Sequence, residues 1–445
     1  MTIRIYAVLV GLMSFSGLSA LDFTGLSHTV IEDRPESSTG LETVYVLESG
    51  VGVTVGYTSR TTDVRWYRFS NLGGAYAEEM TPIRDGDRWS VSFGGEDTGY
   101  IIEDGTERHC YWIVNYANHR LDVEALTATP AEDCGRTLLT VDGDAEPISY
   151  YNINGRRMEL SRRLRISYNT LRFDESSFVY VAEREEIELA GISGVTAITA
   201  PLCNTTFTLE GDCFLEAWDE GVSVESASYT TTAVEAESRA ENLTEKADNE
   251  QGDGDSGTLG GSAPCTIRFE AAVTDAGIFT EWQISRTEEF EILENSYREL
   301  EFEYTFTESG KTYVRFLTNN ADGTCEFAGT TYEIFIGESK LDIPNAFSPQ
   351  ASPGVNDEWK VSYKSLVRYE CHIFNRWGKC LFSSTNPAEG WDGKSGGKYV
   401  PAGVYYYVIK AKGSDGVNYD RAGDINIVNF TGSGTSSGGT DTETE

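Results

Sequence analysis

The sequence predicts an all-β chain built from tandem immunoglobulin-like β-sandwich domains, on three observations. Short runs rich in Val, Ile, Thr, Tyr and Phe recur between Gly, Asp and Asn turns, as at 52–58 (GVTVGYT), 63–69 (DVRWYRF), 176–183 (SSFVYVAE) and 311–318 (KTYVRFLT). That alternation is the signature of half-buried strands. Aromatic residues make up 12% of the chain, a payload suited to two-sheet cores. The best helix candidate, 233–247 (AVEAESRAENLTEKA), lacks the regular apolar stripe that a packed helix needs.

From the N-terminus, Arg4 is followed by an apolar run, Ile5 to Leu18, and then by the small pair Ser19-Ala20. This is the layout of a secretory signal peptide over residues 1–20. It is too short for a comfortable membrane span, and no later stretch approaches the ~20 apolar residues of a transmembrane helix. At 445 residues the chain exceeds the roughly 250–300 that one core serves. A balance of 35 basic against 71 acidic residues, net −36, repels phosphate backbones and excludes nucleic acid as a partner.

Four modules are expected. The first, 41–145, holds Trp66 in mid-strand and a hairpin over 97–116 that turns at Glu103-Asp104-Gly105. The second, 146–235, holds the charged strand 184–191 and a hairpin-like stretch, 203–218. Residues 236–262 read as an acidic, Gly-rich linker. Its Asp248, Asp253 and Asp255 are the weak calcium candidates, since hard oxygen ligands on a flexible loop suit that ion, but the EF-hand pattern is incomplete. A third module spans 263–338 and a fourth 339–430, and the polar tail 431–445 has the composition of a disordered segment.

Eight cysteines in an exported chain read as disulfides. They fall two by two into the modules, which suggests Cys110 with Cys134, Cys203 with Cys213, and Cys265 with Cys325. Cys371 and Cys380 flank a turn, and their pairing stays open. With no CxxC pair and four histidines, a zinc site is not expected. His28, His109, His119 and His372 stand in unrelated contexts, without a serine elbow or an HExxH pattern. No enzyme and no cofactor are therefore expected.

Two stretches resemble known families. In the third module, 261–271 (GSAPCTIRFEA), 280–286 (TEWQISR) and 304–325 resemble the opening strand, the Trp-bearing strand and the closing hairpin of a PKD domain. The acidic turn typical of that family after the Trp strand is missing here. In the fourth module the motifs follow one another in order: 343–349 (IPNAFSP, with Pro344, Asn345, Phe347 and Pro349), Asn356-Asp357, 373–379 (IFNRWGK, with Asn375, Arg376, Trp377 and Gly378), Trp391-Asp392-Gly393, and 401–409 (PAGVYYYVI, with Gly403 and Tyr405). Together they resemble the gliding-motility-associated C-terminal domain of Bacteroidetes, the type B sorting signal of type IX secretion. In the residues themselves, Trp377 and Trp391 read as large anchors.

The resemblance implies export through the periplasm to the outer-membrane surface or beyond, with the type IX machinery as partner. The expectation is a surface binding or scaffold protein whose ligand is a glycan or a protein. The other class is a secreted hydrolase, for example one acting on glycans, with its site on sandwich loops. Exposed aromatic residues beside paired carboxylates would mark it.

Overall fold

The computed structural model describes residues 21–252, 259–349 and 356–428. The leader 1–20, Asp253, Asp255 and the tail 431–445 lie outside the described residues. The fold is all-β, and among the described residues the α-helix amounts to one five-residue turn, Cys213–Ala217. No described helix is long and apolar enough to cross a membrane. The chain divides into two compact units: Met1–Arg172 with Ala182–Ala233, and Phe173–Val181 with Val234–Glu445.

In the first unit a six-stranded sheet is buried on both faces. Strand Glu107–Asn115 reads ERHCYWIVN, and its last six residues are all buried. Alternate side chains of a strand point to opposite faces. Accordingly Tyr111 and Ile113 enter one core, while Cys110, Trp112 and Val114 enter another. Strand Thr43–Leu47 divides the same way, with Tyr45 and Leu47 on one side and Val44 and Val46 on the other. An unbroken apolar run is what a strand covered on both faces requires. The predicted hairpin forms, with Asp104 paired to Glu107 across Gly105-Thr106, and Trp66 is fully buried.

One face of this sheet packs on a four-stranded sheet built from Asp22–Thr24, Thr54–Thr58, Arg88–Ser92 and Ile83–Asp85. The first sandwich therefore begins at residue 22 rather than 41. The other face meets the second sandwich, so that one core runs from Leu41 to Tyr229. Strands Asp122–Pro130 and Arg136–Asp144, expected in the first module, pair with each other and with Thr196–Thr199, which places them in the second. Opposite them lies the sheet of Val179–Leu189, Leu164–Asp174, Thr208–Gly211 and Val222–Glu225.

A buried ion pair sits where these two sandwiches join. Arg162 and Asp212 are 1% and 0% exposed, 2.8 Å apart from Nη1 to Oδ2. Arg162 also donates to the carbonyls of Glu146 (2.5 Å) and His119 (2.6 Å). Asp212 accepts from the Tyr116 hydroxyl at 2.9 Å and, capping the helical turn, from the Leu215 amide at 2.9 Å. These contacts supply the hydrogen bonds without which a buried pair costs more than its attraction returns.

In the second unit the third sandwich sets Ala236–Asn242, Cys265–Val273 and Glu301–Phe306 against a sheet that includes Leu259–Gly261, Tyr332–Ile336, Gly310–Asn319, Phe279–Ser285 and Leu293–Tyr297. Trp282, fully buried, packs its ring at a tilt, 5.5 Å from Phe269 and 5.0 Å from Phe316. The expected linker 236–262 is thus corrected: it supplies two strands, and Ala236–Asn242 pairs along its whole length with Cys265–Val273. Further along, the Asn249 amide donates to the carbonyls of Val361 (2.7 Å) and Pro387 (2.8 Å). The fourth sandwich is a five-stranded sheet ordered Ala346–Phe347, Asn418–Ile427, Gly403–Gly413, Leu366–Phe374, Cys380–Ser384, with two short strand pairs beside it.

The cysteine pairing is also corrected. None of Cys110, Cys203, Cys213, Cys265, Cys371 and Cys380 forms a disulfide, and Cys134 and Cys325 are disulfide-bonded. Sequence proximity misleads because strands carry neighbours apart. The Cys203 thiol reaches the carbonyl of Asn169, whereas that of Cys213 reaches the carbonyl of Ser161. The strand residues between these anchors, Leu164 to Asn169, span about 17 Å, far beyond disulfide reach. Cys265 pairs with Phe306, just before Gly310–Asn319 begins, while Cys325 follows that strand's far end. Burial raises the Cys213 and Cys371 thiols to about 11, so both stay protonated.

Candidate functional site

The fourth sandwich gathers most of the motif residues around Trp391. The first strand of its five-stranded sheet, Ala346–Phe347, lies parallel to Asn418–Ile427, pairing with Asn426 and Ile427, and the carbonyl of Asn345 accepts from the Asn426 amide at 2.9 Å. This pairing brings Phe347 inside, 5.6 Å from the Trp391 ring. Tyr405, on strand Gly403–Gly413, closes the other side at 5.4 Å, and its hydroxyl donates to the Pro401 carbonyl at 2.8 Å. Gly403 opens that strand at φ +152. Gly393 adopts φ +72, and a Cβ there would lie 3.1 Å from Pro349 and 3.3 Å from Phe347. Only glycine fits without strain.

Trp359 is the residue that the motif reading missed. It is 2% exposed, and its indole donates to the Pro344 carbonyl at 2.7 Å. Its backbone exchanges two hydrogen bonds with Trp391, at 2.9 and 3.0 Å. The sequence signal for it was the alternation Trp359, Val361, Tyr363, all buried. Beside Trp391, Asp392 accepts from the Lys394 amide (3.0 Å) and ammonium (2.8 Å). Burial pushes its carboxyl up, but these Lys394 contacts outweigh it and hold the group below its ordinary range. Asn356, in the left-handed region at φ +57, gives its carbonyl to the Ser348 amide at 3.1 Å. Asp357 follows it, half-buried.

The remaining motif residues lie elsewhere in the module, at a turn. Asn375 Oδ1 accepts from the amides of Trp377 and Lys379, each at 3.0 Å. The Asn375 amide donates to the Lys379 carbonyl and its carbonyl accepts from Gly378, again at 3.0 Å. Gly378 takes φ +76. Four hydrogen bonds thus fix a five-residue tip. Trp377 is not the anchor expected from sequence: it is 75% exposed, with the Arg376 guanidinium 4.2 Å over its ring.

The four histidines lie apart, each against its own carboxylate: His28 with Glu48, His109 with Glu42, His119 with Asp97 and His372 with Glu370. His109 and Cys110 project from opposite faces of their strand, so the neighbours do not form a thiol–imidazole pair. Among the described residues no group of three His, Cys, Asp or Glu side chains is placed to hold a metal ion, and Asp248 is exposed.

The class this geometry defines is a chain of β-sandwiches that carries a motif-bearing C-terminal sandwich. Residues 341–427 match the model of the CHU_C type IX secretion signal domain, and residues 127–226 match that of a fibronectin type III domain. The second match starts inside strand Asp122–Pro130, in keeping with the sheet pairing. No curated protein matches the chain.

Among solved structures, the fibronectin(III)-like modules of Clostridium thermocellum CbhA are similar at 10% identity, covering 42% of this chain and 94% of theirs, with a TM-score of 0.18. Dimeric latent PorU from Porphyromonas gingivalis is similar at 11% identity over 72% of this chain and 35% of its own, TM-score 0.17. A Ca2+-stabilized, ice-binding adhesin of an Antarctic bacterium is similar at 10% identity over 90% and 98%, TM-score 0.20. Scores this low carry no argument about function. The secretion signal domain does: it marks a modular protein exported to the outer-membrane surface or the extracellular space.

Proposed function

We propose that this chain is a surface binding or scaffold protein of a Bacteroidetes bacterium, without catalytic activity. A signal peptide delivers it to the periplasm, and the C-terminal sandwich hands it to the type IX machinery. The preceding sandwiches, the third of them PKD-like, then present a ligand surface to a glycan or a protein. One observation carries the reading. The ordered motifs of 343–409 build a module around its own core of Trp359, Trp391, Phe347, Ile373, Ile409 and Ile425, as a transferable address needs. Deleting 339–445 and measuring surface protease accessibility in the native host, against a periplasmic marker, tests it. The shortened chain is expected to stay in the periplasm; unchanged surface exposure would sink the reading.

One observation favours the other reading, a secreted glycan hydrolase. On the third sandwich an open cleft of about 600 Å³ places the exposed Phe279 beside Glu281 and Glu326. Phe279, Asn319 and Glu326 stand directly opposite one another on three adjacent strands. Release of reducing sugar from soluble polysaccharides by the full chain, abolished by Glu281→Gln or Glu326→Gln, would establish that reading in place of the first.

A further inference from the structure

Charge is distributed unevenly along this chain. Residues 341–427 carry ten basic and nine acidic side chains, whereas the whole chain stands at −36. The signal domain is thus nearly neutral within a strongly acidic protein. Within it the tip Asn375–Lys379 sets Arg376, Trp377 and Lys379 together, all exposed. The tip crowns the hairpin that ends in Cys380–Ser384, the edge strand of its sheet.

Among the described residues nothing accounts for a tryptophan at this place. A side chain 75% exposed adds little to the core, and any residue tolerant of a turn would serve the backbone. Yet the backbone is held by the four Asn375 and Gly378 hydrogen bonds, and the indole is steadied by the guanidinium above it. Both side chains thus have little freedom left to lose on binding. Tryptophan and arginine are the residues that most often dominate binding energy at interfaces, and preorganisation is what lets a small contact bind well.

Resting on the secretion reading above, we propose that the tip Asn375–Lys379 is the docking element through which the type IX machinery engages this domain. Trp377 is the inserted anchor and Arg376 its electrostatic partner. The surface that receives it presents an apolar slot rimmed by carboxylates. Such a rim would repel the acidic remainder of the chain and so select the near-neutral domain.

The test uses the full chain in its native host, followed by surface protease accessibility and by thermal melting of the purified protein. Trp377→Ala is expected to lower surface exposure at least about tenfold, with periplasmic accumulation and an unchanged melting temperature. Trp377→Phe should recover most of the export, and Arg376→Glu should lose it. Normal export of Trp377→Ala would overturn the proposal while leaving the secretion reading intact, provided deletion of 339–445 still blocks export. Normal translocation followed by release into the medium would overturn it equally, since the tip would then serve retention. A lowered melting temperature in Trp377→Ala would make the tip a structural element and defeat the docking assignment.

Discussion

The first unit and the C-terminal sandwich solve the same packing problem differently. In the first unit a sheet buried on both faces joins two sandwiches into one core, and a fully buried arginine–aspartate pair sits at the join. The C-terminal sandwich keeps its own core, built on two tryptophans that hydrogen-bond to each other's backbone. A region meant to act as one block gains from shared burial. What the C-terminal sandwich keeps to itself is its core, since its flank is tied to the preceding segment through the Asn249 side chain at Val361 and Pro387.

The sharpest way to break that comparison is Asp212→Ala. It strands the Arg162 guanidinium in the interior and removes the partners of the Tyr116 hydroxyl and the Leu215 amide. Breaking such a pair costs about 3–5 kcal/mol, and the lost cap places this variant near the top of that range. Urea unfolding of the full chain should show both N-terminal sandwiches melting together at a much lower midpoint. Separate transitions would mean that the shared core does not couple them. Replacing Arg162 and Asp212 together by apolar residues should recover only part of the loss, because the carbonyls of Glu146 and His119 would remain without donors.

A smaller effect is expected from Trp391→Phe. The ring contacts to Phe347 and Tyr405 survive in part, but the hydrogen bond to the Lys394 carbonyl, 2.9 Å long, and some of the volume are lost. A cost of about 1–3 kcal/mol follows, confined to the transition of the second unit. If the first unit's transition moved as well, the two regions would not be thermodynamically separate. The smallest effect belongs to Trp377→Ala, within about 0.5 kcal/mol on stability because the side chain is exposed. Its consequence should appear in export alone.

The sequence made the sandwiches legible because period-two alternation and turn residues are local signals. It placed Trp66 and Trp282 on strands and read Trp391 as an anchor, and all three are buried. The unbroken run CYWIVN does mark a strand covered on both faces, but it does not say which part of the chain covers the second face, so the joined core stayed hidden. The Arg162–Asp212 pair was hidden too: the partners lie 50 positions apart, and Asp212 is one of 71 acidic residues. The cysteine pairs failed because proximity along a chain of strands is a poor guide to proximity in space. Trp377 failed as an anchor because a turn fixes its backbone while its side chain points to water. Residues 236–242 passed for linker because their apolar face is only alanine, Ala236 and Ala240, which packs without looking like a strand.

The parallel pairing of Ala346–Phe347 with Asn426–Ile427 makes the signal domain a clasp rather than a tag. Its opening and closing strands are the two halves of one fastening, some eighty residues apart. A chain cut short before Asn426, by a premature stop or a protease, cannot close it, however intact the modules upstream. If the machinery reads the fastened form, export also certifies that synthesis reached the far side of the domain, and truncation just before Asn426 should keep the chain from the cell surface.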